Sequence, residues 1–173
     1  MICCVTGHRP KNFPELYNDK NLYNNFTNEL YNTILSLSQN NYTHFISGMA
    51  LGIDIDFAEA VIKLKKQNPS ICLEAALPYH LSQANSSKKE TRSNLVLQQC
   101  DLVHAVSDHY FNGCMHKRNR YMIDKSDIVI AVWNGTQKGG TWSTIQYAIS
   151  QNKPILLISI KDGNVTTTHD FKI

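Results

Sequence analysis

Residues 127–145 read DIVIAVWNGTQKGGTWSTI. The first seven are almost continuously apolar, which suits a strand buried on both faces. Asn134, Gly135, Gly139 and Gly140 follow, where the chain must reverse direction. Trp142, Ile145, Ala148 and Ile149 then recur at helical spacing. This is a strand, a glycine turn and a helix. A strand covered on both faces belongs in a parallel sheet flanked by helices.

The same grammar extends outward in both directions. MICCVTG, YTHFISG, SICLEAALP, DLVHAVS and KPILLISI are short apolar runs, several closed by glycine or proline. Leu22, Phe26, Leu30, Ile34 and Leu37 mark an amphipathic helix over 20–38. Ile53, Phe57, Ala60, Val61 and Leu64 mark another over 50–67, with Pro69 beyond its end. Residues 86–99 and 114–125 read as two more helices, and HRPKNFPELYND as a polar loop. The expected fold is a single α/β, Rossmann-like domain over 1–173. Its mostly parallel sheet has about six strands, with helices on both faces. The polar tail from about 161 forms an edge strand or hangs loose.

Composition narrows the classes. A chain of 173 residues with 42% hydrophobic content supports one core. A net charge of +3 is too small to argue for nucleic acid. Five cysteines at irregular spacing make neither a disulfide nor a zinc framework, and suit a reducing cytoplasm. Cys3 and Cys4 read as small buried hydrophobes. The seven histidines lack metal-ligand spacing, so no metal and no cofactor is expected. No leader is visible and no apolar run is long enough for a membrane span. A cytoplasmic location is therefore expected.

Ligands of open α/β sheets bind beyond the carboxyl ends of the strands. Four segments lie there: TGHRP (6–10), SGMALGID (47–54), LPYH (77–80) and WNGTQKGGT (133–141). Gly7 frees the backbone before His8 and Arg9, and arginine suits phosphate or carboxylate. Ser47 either caps the following helix or donates to a phosphate. Asp54 either holds a ribose hydroxyl or orients Arg9, whereas Asp56 reads as a solvated residue near a helix start. In MHKRNRYMIDKSD (115–127), Met115, Met122 and Ile123 suit the core. Its basic residues are either a solvated face or place one arginine inward as a clamp. Gly139, Gly140 and Thr141 at a helix start offer free N–H groups and a hydroxyl, without the spacing of a Walker or dinucleotide loop.

Taken in order, TGHRP, SGMALGID, LPYHLSQAN and RNRYMIDKSDIVIAVWNGTQKGGTWSTIQYA resemble the SLOG superfamily, and most nearly its YpsA-like family. SGMALGID is similar to the SGLARGID signature of the DNA-processing branch, which binds single-stranded DNA, but Leu51 replaces the arginine. MHKRNRYMIDKSD resembles the LOG phosphoribohydrolases, in which the arginine matching Arg118 contacts the substrate nucleotide. Those enzymes carry P-G-G-x-G-T-x-x-E. Gly140 and Thr141 match its G-T, and Thr144 falls on the glutamate needed for cleavage. Glu90, Asp54 and Asp127 are the carboxylates considered as substitutes.

The resemblance implies a nucleotide or NAD-derived ligand, in settings that include stress and phage defence. It also implies a homo-oligomer. The candidate contacts are Gly7, His8, Arg9, Ser47, Gly48, Met49, Asp54, Pro78, Arg118, Asn119, Asn134, Gly139, Gly140 and Thr141. A LOG-like phosphoribohydrolase is the alternative, and a single-stranded DNA binder is less favoured.

Overall fold

The computed structural model describes residues 1–80 and 91–169. Its elements run β1 (Ile2–Gly7), a 3-10 turn (Pro10–Asn12), α1 (Pro14–Asn18), α2 (Lys20–Gln39), β2 (His44–Ser47), α3 (Ile53–Lys65) and β3 (Cys72–Leu77). They continue with α4 (Arg92–Leu97), β4 (Leu102–Ala105), α5 (Cys114–Lys125), β5 (Ile128–Trp133), α6 (Gly139–Ser150), β6 (Ile155–Lys161) and β7 (Asn164–Thr168). The strands form one sheet in the order β4-β3-β2-β1-β5-β6-β7. All neighbours are parallel except β6 and β7.

Alternation along the strands feeds two cores. Cys3, Val5, Phe45, Leu73, Ile130 and Ile158 join a cluster with α2 and α3. Cys4, Ile46, Ala76, Val129, Ala131 and Leu157 join a second cluster with α5 and α6. Adjacent residues Cys3 and Cys4 thus face opposite layers, as a pleated strand requires. The central strands are covered on both faces, which is why they carry no polar alternation.

Local signals set several boundaries. The Asp19 side chain accepts hydrogen bonds from the amides of Asn21 (2.8 Å) and Leu22 (3.0 Å), capping α2. The predicted stripe Leu22, Phe26, Leu30, Ile34 and Leu37 is buried. Three expectations are refined. HRPKNFPELYND is not all loop: Pro10 and Pro14 each open a helical turn, where a missing N–H costs nothing. The polar tail takes the first of its two expected forms, an edge strand, and brings the sheet to seven strands among the described residues. Asp162 and Gly163 both take left-handed backbone (φ 51° and 74°), the tight hairpin turn that folds 164–168 back antiparallel on β6. The helix expected over 86–99 is described from Arg92, and residues 81–90 lie outside the described chain. Among the described residues, no helix is long and apolar enough to cross a membrane.

Candidate functional site

The sheet order creates the site. From β1 the chain builds β2, β3 and β4 outward on one side, then returns to place β5 and β6 on the other. The carboxyl ends of β1 and β5 therefore flank a topological switch point, where a crevice opens. TGHRP and the GGT turn stand at its two lips.

Glycines bring the walls together. A Cβ on Gly7 would lie 2.5 Å from the Ile53 side chain, so only glycine lets α3 start against the end of β1. A Cβ on Gly48 would lie 1.4 Å from Arg118 Nη1 and 2.6 Å from Asp54 Oδ2. That space belongs to a buried ion pair, Arg118 Nη1 to Asp54 Oδ2, at 3.2 Å. Between them, Met49 sits in left-handed backbone (φ 59°), a conformation that costs a non-glycine residue about 1 kcal/mol.

Asp54 is tightly held. Its Oδ2 also accepts from the Ala50 amide (3.2 Å), and its carbonyl accepts from Ser47 Oγ (2.8 Å). Burial pushes its pKa up, while Arg118 and the Ala50 amide pull it down. Arg118 is only 5% exposed, and its Nε has no hydrogen-bond partner among the described residues.

His8 repeats the pattern from the opposite wall. It is 6% exposed, and its Nδ1 lies 3.4 Å from Thr141 Oγ1. The edge of the ring packs against Phe13, with centroids 5.5 Å apart. Its Nε2 is likewise without a hydrogen-bond partner among the described residues. Burial lowers the His8 pKa, with Asn134 and Glu15 acting in the opposite sense.

These groups line a cleft of about 210 Å3, with Gly7, Arg9, Asn12, Asn119, Lys138 and Gly139–Thr141. The first turn of α6 has no acidic residue, and nothing lies within 4 Å of a Cβ built on Gly139 or Gly140. No side chain caps its initial N–H groups among the described residues, and the helix dipole stands behind them. Beside the cleft is a more apolar recess of about 220 Å3, lined by Met49, Leu77, Pro78, Tyr79 and Leu97. Arg9, Ala50, Met115 and Arg118 border both spaces.

Most predicted residues converge here: Gly7, His8, Arg9, Asp54, Arg118, Asn119, Gly139, Gly140 and Thr141 on the cleft, and Gly48, Met49 and Pro78 on the recess. Two do not line either space. Ser47 is fully buried, its hydroxyl spent on the Asp54 carbonyl and the Met49 amide. Asn134 stands beside His8, whose pKa it acts to raise, and also shapes its own loop, accepting from the Thr136 amide (3.1 Å) and donating to the Asn12 carbonyl (3.4 Å). Asn119 donates its side-chain amide to Thr144 Oγ1 (2.8 Å), and that hydroxyl donates to the Gly140 carbonyl (2.8 Å).

The carboxylates also sort themselves. Asp54 is the one acidic residue on the cleft among those described, and its partner is Arg118 instead of Arg9. Asp127 accepts from the Ile2 amide (2.7 Å) at the far end of β1. Glu90 lies outside the described residues. Asp56 is not solvated. Its carboxylate is buried and accepts from Tyr17 (2.6 Å), Tyr23 (2.7 Å) and Arg92 (2.7 Å). Met115 is not a core residue but a partly exposed wall of both spaces. Asn12, His116 and Lys138 are cleft residues that the sequence did not single out. Lys138, immediately before the glycine pair, is the N-cap residue of α6, where a cation is mildly disfavoured by the helix dipole and an anion would be favoured.

A Rossmann-like α/β domain with a cationic, switch-point cleft is the class this architecture defines. The chain belongs to the YpsA family, described as the YspA SLOG family, whose model matches residues 3–162. A UPF0398 protein of Bacillus cereus is 22% identical over 99% of this chain and 89% of its own length. A UPF0398 protein of Halalkalibacterium halodurans is 28% identical over 61% of this chain, a match spanning 58% of that protein. An uncharacterized SPbeta prophage-derived protein of Bacillus subtilis, YoqJ, is 30% identical over 65% of this chain and 72% of its own length.

Proposed function

We propose that this protein binds a phosphorylated nucleoside, or an NAD- or ADP-ribose-derived ligand, at the carboxyl ends of β1 and β5. One observation carries the reading. Two buried nitrogens without hydrogen-bond partners among the described residues, His8 Nε2 and Arg118 Nε, belong to residues that line the same cleft as the uncapped start of α6. Leaving such groups unpaired costs about 1–3 kcal/mol each, a cost an anionic ligand would remove. The adjoining apolar recess suits a base, with Met49 and Pro78 in its walls. Ligand binding, a cytoplasmic homo-oligomer and a role in stress or phage-defence signalling belong to one proposal. The prophage origin of YoqJ accords with that setting.

Binding without cleavage is the favoured chemistry. Glycosidic cleavage needs a carboxylate to stabilise developing positive charge. Asp54 is paired with Arg118, and Thr144 is neutral and hydrogen-bonded.

Calorimetry with AMP, ADP-ribose, NAD and cyclic variants tests the reading. Micromolar to sub-millimolar binding of at least one is expected. Arg118→Ala should weaken it tenfold or more, given about 1.5–3 kcal/mol for a charge-assisted hydrogen bond. Absence of binding across the panel would remove the proposal. Free base released from AMP above a heat-killed control, and lost in Arg118→Ala, would replace it with the phosphoribohydrolase alternative.

A further inference from the structure

The neutral histidine in this cleft faces an unusual collection of charge. Arg9 follows it in the chain, Arg118 and His116 approach from α5, and Lys138 from the start of α6. Against these stand Asp54, already paired with Arg118, and Glu15 on α1. Without a ligand, burial favours an uncharged imidazole. A phosphoryl group entering the cleft would reverse that balance at close range.

The hydrogen-bond geometry allows the change without rearrangement. Thr141 Oγ1, at 3.4 Å from Nδ1, can donate to a bare nitrogen or accept from a protonated one. Nε2 is buried and without a hydrogen-bond partner among the described residues, on a residue that lines the cleft. Resting on the nucleotide-binding reading, we propose that His8 is the specificity-determining residue that takes up a proton as the ligand binds. The imidazolium donates from Nε2 to a phosphoryl oxygen and from Nδ1 to Thr141. The proton comes from solvent, and no covalent bond changes. A terminal phosphate with two negative charges gains most from this second cation, and a diester with one charge gains less.

The test is calorimetry at pH 7 and pH 8, in buffers of different ionisation enthalpy, with AMP, its 5′-methyl ester and inorganic phosphate. Wild type and His8→Gln are compared, because glutamine can donate from a similar position but cannot take a proton. The expected result is proton uptake by wild type on binding AMP and phosphate. Affinity for AMP should fall up to tenfold from pH 7 to pH 8, with a smaller fall for the methyl ester. His8→Gln should bind AMP with less than a twofold change over the same interval. An NMR titration of His8 in the wild-type protein, with and without AMP, should show its pKa rising on binding, independently of whether the variant folds. AMP binding with the same proton uptake in both proteins, or an unmoved His8 pKa, would overturn this proposal and leave nucleotide binding standing. No binding of AMP, ester or phosphate would overturn this proposal, and nucleotide binding would fall with it only if ADP-ribose, NAD and the cyclic variants failed to bind as well.

Discussion

Two strand-to-helix turns border the site, and their glycines serve opposite ends. At the β2–α3 turn, the space above Gly48 is filled by the protein's own Arg118–Asp54 pair. At the β5–α6 turn, no described residue lies within 4 Å of a Cβ built on Gly139 or Gly140. A glycine can make room for an internal group or for an external one. The first kind supports stability, and the second leaves the room that the proposed ligand would fill.

Substituting alanine at each turn breaks the comparison most directly. Gly48→Ala would drive Arg118 from Asp54 and leave buried charge uncompensated. A loss of about 3 kcal/mol or more is expected in chemical denaturation, together with loss of nucleotide binding. Gly140→Ala has negative φ and free space, so stability should stay within about 1 kcal/mol of wild type and could rise. Its added methyl would weaken phosphate binding while leaving the fold intact. Equal stability losses in the two variants would remove the distinction.

A smaller effect is expected at the recess wall. Arg92 on α4 reaches Glu59 through Nε and Nη2 (2.6 Å each), and Asp56 through Nη2 (2.7 Å). Leu97 of the same short helix lines the recess. Arg92→Ala should cost about 1–2 kcal/mol, since Asp56 keeps its two tyrosine partners. AMP affinity should drop more than that of ribose 5-phosphate, which lacks a base. A parallel drop for both would mean that α4 does not shape base recognition.

The smallest effect sharpens a second contrast, between Asp54 and Glu74. Burial raises Asp54, and its partners only partly offset that. For Glu74, burial acts upward too, but hydrogen bonds from His44 (2.8 Å) and Tyr121 (2.6 Å) outweigh it, so its pKa is lowered. Glu74 therefore stabilises the fold above the unfolded carboxylate value, and this is lost as pH falls through its folded value. Asp54 acts in the opposite sense: its raised pKa contributes stability below the unfolded carboxylate value, and this is lost as pH rises through its folded value. Glu74→Gln should lower stability by about 1 kcal/mol at pH 7 and by less near pH 3, as followed by urea denaturation. An unchanged pH profile would deny Glu74 this role.

Much of the site was legible because strand-end loops are marked by local chemistry. Gly7, Arg9 and Gly139–Thr141 stand out by residue type after an apolar run, and Arg118 stands out within the basic stretch MHKRNR. Ser47 and Asn134 carried the same marks and do not line the cleft. A hydroxyl or amide beside a turn satisfies backbone as readily as it meets a ligand. Asp56 misled for a related reason. An acidic residue at a helix start is favoured by the dipole whether or not it is solvated. Nothing local announces that Tyr17, Tyr23 and Arg92 will surround it.

By itself, the sequence determined the alternation of strands and helices, the two-sided burial of the central strands, and the glycine turns at their ends. Those properties depend on neighbours within a few residues, and periodicity records them. Only the tertiary structure decided that Arg118 meets Asp54 over Gly48, that Thr144 is held by Asn119, and that His8 and Arg118, each with a nitrogen unpaired among the described residues, share one cleft. The two hydrogen-bonded pairs join residues 64 and 25 positions apart. They depend on the order in which strands enter the sheet, and no local pattern encodes that order.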